Sequence, residues 1–431
     1  MSKEGQMGVL GSFNIGVSGL RASGDSMNVI GDNIANAGTF GFKGSRAEFQ
    51  DMLSRSFKGI DGGDQIGSGT KLAHVTPKFT QGTVSRTDNI TDLALDGAGF
   101  FAVKSPWGEA YTRDGAFRFD KEGHLVTGDG YRVQGFSADA NGKITSKKSD
   151  IKLATTTLPA KATEEVTVLM NLDSREIATQ FNAENPLDSS NFNSSITVFD
   201  NTGTQRVVNL HFNKTADNAW EYRALVDGAD AEGAEAGQLI EMASGKLQFN
   251  SKGQLQEVVE NTNSFNFKGA EQGQKIKFNF GKTIADGGDG LDAITQYGSK
   301  SSLARHTQDG HSAGSLGSMS FNDDGILSAS YDNGVTKELA QIAVARFDNN
   351  EGLFKMGRNL FKETLNSGQA ALGKPGLDGR GNVLSKSIEL SNVDIADEFI
   401  NLMNAQRNFQ ANTKTISTTD QMLQEIIGIK R

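Results

Sequence analysis

Apolar residues recur every seven positions at both ends of the chain, a spacing that lets a helix present one continuous stripe to a partner. The C-terminal row consists of Ile395, Leu402, Phe409, Ile416 and Leu423, with companion positions at Phe399, Gln406, Thr413, Asp420 and Ile427. The N-terminal row consists of Phe13, Leu20, Met27 and Ile34, with companions at Val17, Gly24 and Gly31. The pattern predicts a helix at each end, and each stripe needs a second helix to cover it.

Glycines mark the N-terminal stripe as a surface for close contact. Gly24 and Gly31 carry no side chain where the backbone of a partner helix would approach. Each glycine also costs roughly 0.5–1 kcal/mol relative to alanine in a helix interior, and Gly16 and Gly19 add to that cost. We therefore expect an N-terminal helix that is weak by itself and ordered only when packed. An ordinary helix pair closing one globular domain would give the same pattern.

Between the helical ends the spacing changes to the alternation that is typical of strands. A short motif recurs there: Phe, then Asp or Asn, two residues, Gly, one residue and an apolar residue. It stands at 119–125, 249–255 and 321–327, with partial copies at 139–144 and 199–203. Because Asp or Asn opens a type I turn and Gly takes the left-handed position, each copy predicts a β-hairpin. The predicted fold class is mainly β with α-helical termini.

The order of these segments predicts nested domains, because the chain leaves each layer and later returns to it. We expect a terminal helical coiled-coil domain at 1–38 and 390–431, a connector at 39–90 and 360–389, an inner β-domain at 91–158 and 304–359, and an outer β-domain at 159–303. The two terminal helices should then lie side by side. Asn36, Gly41 and Phe42 are assigned to the bend between helix and connector, where simple helix termination would use the same residues.

Composition limits the partners of the chain. Its 43 basic and 52 acidic residues leave a net charge of −9, which argues against nucleic acid or an anionic membrane as the main partner. The absence of cysteine excludes disulfides and thiolate chemistry. No run approaches the roughly 20 apolar residues of a membrane span. The N-terminus resembles a signal peptide only superficially, so we expect any export to proceed without a cleaved leader.

Motifs for catalysis or metal binding are weak. The segment Gly287-Gly288-Asp289-Gly290-Leu291-Asp292 matches one calcium-binding nonapeptide, but such sites need stacked copies. The five histidines lack metalloprotease spacing, and the sequence contains no Gly-x-Ser-x-Gly elbow. We predict no enzyme activity, no cofactor and no metal site. A secreted β-rich adhesin or calcium-binding protein is the alternative from a different class.

Three further blocks carry a resemblance to known proteins. The N-terminal block contains Val17-Ser18-Gly19-Leu20-Arg21-Ala22, Asp32-Asn33-Ile34-Ala35-Asn36 and Thr39-Phe40-Gly41-Phe42-Lys43. The second contains Asp92-Leu93-Ala94-Leu95-Asp96-Gly97-Ala98-Gly99-Phe100-Phe101 and Tyr111-Thr112-Arg113-Asp114-Gly115. The C-terminal block contains Leu390-Ser391-Asn392-Val393-Asp394, Glu398-Phe399, Ala405-Gln406-Arg407-Asn408-Phe409-Gln410-Ala411-Asn412 and Asp420-Gln421-Met422-Leu423. Together they resemble the bacterial flagellar rod and hook axial protein family.

Within that family, Asn171-Leu172-Asp173-Ser174 and the segment 195–214 resemble the outer domain of hook proteins, which the distal rod protein lacks. The resemblance implies a hook subunit whose helical ends form a coiled-coil tube around a channel, with the β-domains outside it. Such a tube is curved and flexible, and it acts as a universal joint between motor and filament. A distal rod protein is the nearest alternative.

The resemblance also implies partners and a location. The partners are other copies of the chain, the rod and hook-filament junction proteins, the hook cap during assembly and the type III flagellar export apparatus. The location is the hook, outside the cell after export. We further expect the terminal stretches to fold only on assembly, and Leu402→Asp or Phe409→Asp to abolish polymerisation while the β-domains stay folded.

Overall fold

The computed structural model describes residues 3–53, 55–56, 65–139, 142–153 and 157–429. A helix stands at each end of the described chain, α1 (Lys3–Ala35) and α3 (Ile395–Ile429), and strands dominate between them. This arrangement confirms the predicted fold class. Part of the connector predicted at 39–90, residues 57–64, lies outside the described residues.

The elements after α1 up to residue 150 are β1 (Ser45–Asp51), β2 (Arg55–Ser56), β3 (Gln65–Ile66), β4 (Thr70–Pro77), β5 (Val84–Arg86), β6 (Leu93–Asp96), β7 (Phe100–Ser105), β8 (Gly108–Thr112), β9 (Arg118–Phe119), β10 (Leu125–Val126), β11 (Arg132–Ala138) and β12 (Ile144–Asp150). From 157 to 308 they are β13 (Thr157–Leu158), β14 (Glu165–Asp173), α2 (Pro186–Ser189), β15 (Phe192–Phe199), β16 (Gln205–Ala216), β17 (Ala219–Asp227), β18 (Leu239–Phe249), β19 (Leu255–Asn263), β20 (Lys277–Asn279), β21 (Thr295–Tyr297) and β22 (Ser302–Gln308). Before α3 they are β23 (Gly314–Phe321), β24 (Ile326–Tyr331), β25 (Thr336–Ile342), β26 (Val344–Arg346), a 3₁₀ turn (Asn350–Gly352), β27 (Phe354–Gly357), β28 (Leu360–Lys362), β29 (Ala371–Gly373), β30 (Asn382–Ser385) and β31 (Ser387–Glu389).

The chain divides into two compact units. The first comprises Met1–Ala154, Met319–Ala329 and Lys337–Arg431, and the second comprises Thr155–Ser318 and Ser330–Thr336. The chain thus leaves the first unit and later returns to it. The finer four-part division drawn from the sequence stays a prediction.

The first unit is built around β7, which is buried on both faces. In this strand Phe101 and Val103 face a core with Leu93, Leu95 and Ile342. The alternate residues, Phe100 and Ala102, face a second cluster that contains Tyr111, Phe347 and Phe361. Strands β8 and β11 pair with β7, and β28 and β27 extend the sheet beyond β8 to its edge.

The second unit packs a five-stranded antiparallel sheet, β15 to β19 in chain order, against strands around β14. Strand β14 pairs in parallel with β20 and β21 and antiparallel with β22. Alternate residues of β14, from Val166 to Leu172, enter one apolar core together with Val208, Leu210 and Phe212 of β16. The period-two pattern of these strands therefore reports their buried face.

All five copies of the turn motif adopt one geometry. The Asp or Asn side chain accepts a hydrogen bond of 2.7–3.0 Å from the amide four residues on. Its carbonyl accepts the amide of the motif glycine at 2.9–3.0 Å. These glycines, which need their left-handed φ of 68–82°, are Gly123, Gly142, Gly203, Gly253 and Gly325. The structure confirms the turn predicted from the motif.

Candidate assembly surface

The two terminal helices pack side by side and antiparallel within the first unit. Gly16 of α1 lies against Ile416 of α3, near the C-terminal end of the chain. At the other end of the pair, the Asn33 side-chain amide donates a 3.1 Å hydrogen bond to the Glu398 carboxylate. The prediction that the chain brings its two ends together is confirmed, and α1 covers part of the α3 stripe without help from another molecule.

Glycines do create the close contact, but at different positions from those expected. A Cβ added to Gly16 would lie 2.8 Å from Ile416 Cγ1, and one added to Gly19 would lie 2.7 Å from the Asn412 side-chain amide. Gly24 and Gly31 have no atom within 4 Å of such a Cβ. The helix pair therefore uses Gly16 and Gly19, whereas Gly24 and Gly31 face open space in the single chain.

The predicted C-terminal stripe divides between two faces of α3. The residues turned toward the interior, buried or half-buried, are Glu398, Leu402, Ala405, Asn412, Ile416, Thr419 and Leu423. They include three predicted seam residues, Leu402, Ile416 and Leu423. The predicted residues Ile395 and Phe399 are 50% and 51% exposed, and Phe409 is 37% exposed. Thus Leu402 shares the covered face of α3 with residues 398, 405, 412 and 419.

The predicted N-terminal seam lies on α1. All five of its residues are half-buried: Phe13, Val17, Leu20, Met27 and Ile34. Strands β1 and β4 also contact α1, so the helix packs against strands as well as against α3. Ile427 belongs to α3, but its side chain lies outside the described residues.

An uncovered apolar stripe therefore runs along α3, which we call the free stripe. Its members are Ile395, Phe399, Ile400, Met403, Phe409 and Met422, each at least 37% exposed. Five of these residues lie within 395–409, and exposed apolar patches of this kind mark sites of protein contact.

The predicted bend residues lie where α1 ends. The Asn36 side-chain amide donates 2.9 Å to the Asp32 carbonyl and so closes the last turn of the helix. Gly41 has a φ of 65°, and a Cβ there would lie 2.5 Å from the backbone of Arg113. Phe42 is buried, with the Lys355 ammonium 5.1 Å from its ring centroid. Only glycine at position 41 allows the chain after α1 to pass this close to the backbone of Arg113.

A buried ionic group directly follows the bend, and we call Lys43, Arg113 and Glu389 the junction cluster. Lys43 Nζ lies 2.6 Å from Glu389 Oε1, and Arg113 Nη1 lies 3.2 Å from Glu389 Oε2. The amide of Gly82 also donates to Glu389 Oε1, at 2.8 Å. Arg113 Nη2 donates to the carbonyl of Gly97 at 2.7 Å. The cluster joins the chain after α1, the chain before α3 and the first β-sheet.

The electrostatics of the junction cluster are those of two cations sharing one carboxylate. Burial lowers the pKa of Lys43, although Glu389 acts in the opposite direction. Burial also lowers the pKa of Arg113. The side chains of Lys43 and Glu389 have no exposed surface. Because a buried charge is stable only when it is paired and hydrogen-bonded, each member depends on the other two.

Two asparagines complete the connection between the helices and the connector. Asn33 exchanges two 2.8 Å hydrogen bonds with the backbone of Ser45. Asn392 accepts the amide of Gly44 at 2.9 Å and donates to the carbonyl of Lys78 at 2.8 Å. The side-chain amides thus substitute for backbone pairing at the point where two segments cross.

The sequence patterns did not assign structural roles to Lys43, Arg113, Glu389 or Asn33. One signal was present: Glu389 stands between two apolar residues, Ile388 and Leu390, in a strand-like run. A charge at such a position requires a buried partner. That partner, Lys43, is 346 residues away, so nothing local identifies it.

Two observations bear on other kinds of site. Among the described residues, no group of three or more His, Asp or Glu side chains is placed to hold a metal ion. None of the described helices is both long and apolar enough to cross a membrane.

Paired helical ends joined through a buried polar junction to the strands of the first unit are the features that define the class of this protein. Family models for flagellar proteins match four segments: the flagella basal body rod protein at 13–43, the flagellar hook protein FlgE/F/G D1 domain at 94–171, the flagellar basal body protein FlaE D2 domain at 171–311, and the flagellar basal body rod FlgEFG protein C-terminal at 384–429. The class is therefore that of the flagellar rod and hook subunits.

Full-length relatives narrow the class. The flagellar hook protein FlgE of Borreliella burgdorferi is 36% identical over 444 residues, which cover 97% of this chain and 99% of the relative. The Escherichia coli K12 protein of the same name is 33% identical over 428 residues, covering 97% and 100%. The crystal structure of the Helicobacter pylori flagellar hook protein FlgE2 shares the fold, with a TM-score of 0.53 at 15% identity, over 71% of this chain and 100% of that one.

The chain belongs to the flagellar hook protein FlgE family. It is a structural hook subunit and not an enzyme, as predicted. The match of 171–311 to the D2 model and the full-length match to hook proteins favour a hook protein over a rod protein.

Proposed function

We propose that this chain polymerises into a curved, flexible helical tube that couples the rotation of the flagellar motor to the filament. In the proposed tube the paired terminal helices line the inside and the β-rich units lie outside. The four-part division at 1–38 with 390–431, 39–90 with 360–389, 91–158 with 304–359, and 159–303 is part of this proposal.

The observation that carries the proposal is the free stripe of α3. Its apolar side chains stand on a helix whose opposite face is already occupied by α1. A second copy of the chain supplies the missing helix surface, and Gly24 and Gly31 offer open backbone on α1 for such an approach. The stripe and the glycines are different surfaces, so a contact between them is head-to-tail. Head-to-tail contacts that do not close into a ring produce helical polymers.

The junction cluster supports the mechanical part of the proposal. In a tube that transmits torque, each helix pair must turn together with the β-strands of its own first unit. Lys43, Arg113 and Glu389 join the two without exposed, easily broken contacts. Because the group is buried, salt weakens it much less than a surface ion pair.

Further partners follow from family membership. We propose that the tube contacts the rod at one end and the hook-filament junction proteins at the other, with a hook cap present during assembly. We also propose that the subunit leaves the cell through the type III flagellar export apparatus, without a cleaved signal peptide, and functions outside the cell.

Electron microscopy of the purified chain under assembly conditions tests the proposal. We expect short curved tubes made only of this chain. Persistence of monomers at high protein concentration, under conditions that assemble a related hook protein, would contradict it.

A further inference from the structure

A strip of aromatic and polar side chains lies on the first unit, near the C-terminal end of α1. It consists of Phe40, Trp107, Tyr131, Arg358 and Asn359, and we call it the aromatic strip. The rings of Trp107 and Tyr131 pack edge-on with centroids 6.2 Å apart. Arg358 Nη1 donates a 2.7 Å hydrogen bond to the Tyr131 hydroxyl. Asn359 Nδ2 donates at 2.9 Å to the carbonyl of Phe40.

The strip is exposed although its side chains are held in place. Trp107 is 58% exposed and Phe40 is 41% exposed, while Tyr131 beneath Trp107 is only 7% exposed. A hollow of about 230 Å³ opens beside Arg358 and Asn359, and its walls include Asp32 of α1, Phe42 and Lys355. An exposed indole that packs edge-on against a buried tyrosine has the features of a contact site.

The backbone under the strip is unusual. Arg358 and Asn359 both have a left-handed φ, 55° and 57°. An arginine rarely adopts this conformation, because its Cβ then crowds the following carbonyl oxygen. The turn places the guanidinium over Tyr131, and no ion pair with a carboxylate engages it among the described residues. Folding of the single chain gains little from this arrangement, which suggests a role in binding.

We propose that the aromatic strip is a contact surface for a second copy of this chain. The inference rests on the proposed function and adds a surface separate from the terminal helices. Trp, Tyr and Arg are the residues that most often dominate the binding energy of protein interfaces. Charge complementarity selects the occupant. Arg358 forms no ion pair among the described residues, and the chain has a net charge of −9, with exposed residues such as Glu232 and Glu235 that also form no ion pair among those described.

The two tryptophans provide a direct test, because Trp107 is exposed and Trp220 is fully buried. Polymers grown from the purified chain contain no other protein, so any newly covered tryptophan must face a second copy. On polymerisation we expect the fluorescence of the chain to shift to shorter wavelength and its acrylamide quenching to fall at least twofold. In Trp107→Phe, where only Trp220 reports, both changes should disappear.

The outcomes separate the two proposals. If tubes form and Trp107 is quenched as strongly in them as in the monomer, the aromatic strip is not a contact surface. If no tubes form from the unmodified chain, the proposed function itself fails.

A matched pair of substitutions tests the contribution of Arg358. Arg358→Asn removes the cation and suits the left-handed backbone, so it should not unfold the turn. Lys386→Asn also replaces an exposed basic residue whose backbone is left-handed, with a φ of 51°. We expect Arg358→Asn to raise the critical concentration for polymerisation about tenfold, as loss of an interface hot spot would, and Lys386→Asn to leave it unchanged. An equal effect of both variants, or of neither, would overturn the assignment.

Discussion

Glu389 holds the first unit together at a point where three distant segments meet. Its carboxylate is fully buried and lies between two cations that contact no other carboxylate among the described residues. Removing one partner from a buried pair leaves the other charges uncompensated, which typically costs about 3–5 kcal/mol. We therefore expect Glu389→Gln to lower the free energy of unfolding of the first unit by about this amount, measured by denaturant titration.

The matched control for this substitution is Glu122→Gln, in an exposed turn of the same unit. Glu122 is 3.9 Å from Lys121, and both side chains are more than half exposed. Exposed pairs of this kind contribute little to stability, so the denaturation midpoint should not move. A midpoint lowered equally by both variants would show that the junction cluster has no special role.

Asp200 should make the second unit sensitive to acid. Burial by itself would raise the pKa of this carboxyl, but hydrogen bonds from Thr202, the Thr204 amide and Arg206 outweigh burial and hold the pKa below its usual value. A carboxyl with a lowered pKa in the folded state stabilises that state above its unfolded pKa, about 4. This stabilisation is lost as the pH falls through the folded pKa.

Thermal unfolding between pH 6 and pH 2.5 tests this prediction. In the unmodified chain, the melting temperature of the second unit should fall below about pH 4. Asp200→Asn should melt lower at pH 6 and lose less on acidification, because it has no proton to bind. Asp217→Asn is the control, since that side chain in the same unit is fully exposed. Parallel pH profiles for all three proteins would contradict the role of Asp200.

At the scale of the helix, alanine substitutions at Gly16 and Gly24 distinguish the effect of helix propensity from the effect of packing against α3. Alanine at either position removes the same intrinsic penalty of roughly 0.5–1 kcal/mol. At Gly24 the new methyl group enters open space, so Gly24→Ala should protect the amides of α1 from hydrogen exchange in the monomer. At Gly16 it would lie 2.8 Å from Ile416, so Gly16→Ala should lower the protection. Equal gains at both positions would show that α1 and α3 do not approach closely there.

The free stripe predicts different consequences for neighbouring substitutions on α3. Phe399→Asp places a charge on the exposed face, so we expect it to block polymerisation while the monomer keeps its helix content by circular dichroism. Leu402→Asp buries a charge against α1, so we expect it to reduce both helix content and polymerisation. Phe409, at the border of the two faces, should give an intermediate result with Phe409→Asp.

The control for the stripe is Gln410→Asp, which adds the same charge at an exposed polar position of α3. Normal tubes from Phe399→Asp, or loss of tubes from Gln410→Asp, would contradict the assignment of the stripe to assembly.

The elements differ in how far the sequence determines them locally. The five turns were predictable because every hydrogen bond that defines them lies within four residues of an Asp or Asn. The existence of both helices was predictable from their heptad rows. The face of α3 that α1 covers was not, because Phe399 and Glu398 are neighbours on the helix and only the partner distinguishes them. The partners of Glu389, 276 and 346 residues away, carry no local signal at all.

For the whole molecule, too, features set by distant contacts were harder to predict than features set by local ones. Its division into units depends on which distant strands pair, and the boundary predicted at residue 303 falls inside β22 (Ser302–Gln308). This strand pairs with β14 along its length, from Asn171 with Ser302 to Val166 with Gln308. Beyond it, the Asp309 carboxylate accepts the amides of Glu164 and Glu165 at 2.9 and 3.0 Å. A fragment that stops at 303 would leave one edge of β14 unpaired.

Two fragments of the second unit therefore decide where it ends. We expect a fragment of residues 155–318 to unfold in one cooperative transition, because it retains β22 and the apolar core around β14. A fragment of residues 159–303 should melt roughly 10 °C lower or more, since each kcal/mol lost shifts the melting temperature by about 2–4 °C in domains of this size. Its unpaired edge should also make it aggregate. Equal melting temperatures would show that 304–318 contribute nothing to the unit, and would favour the boundary at 303 that the sequence predicts.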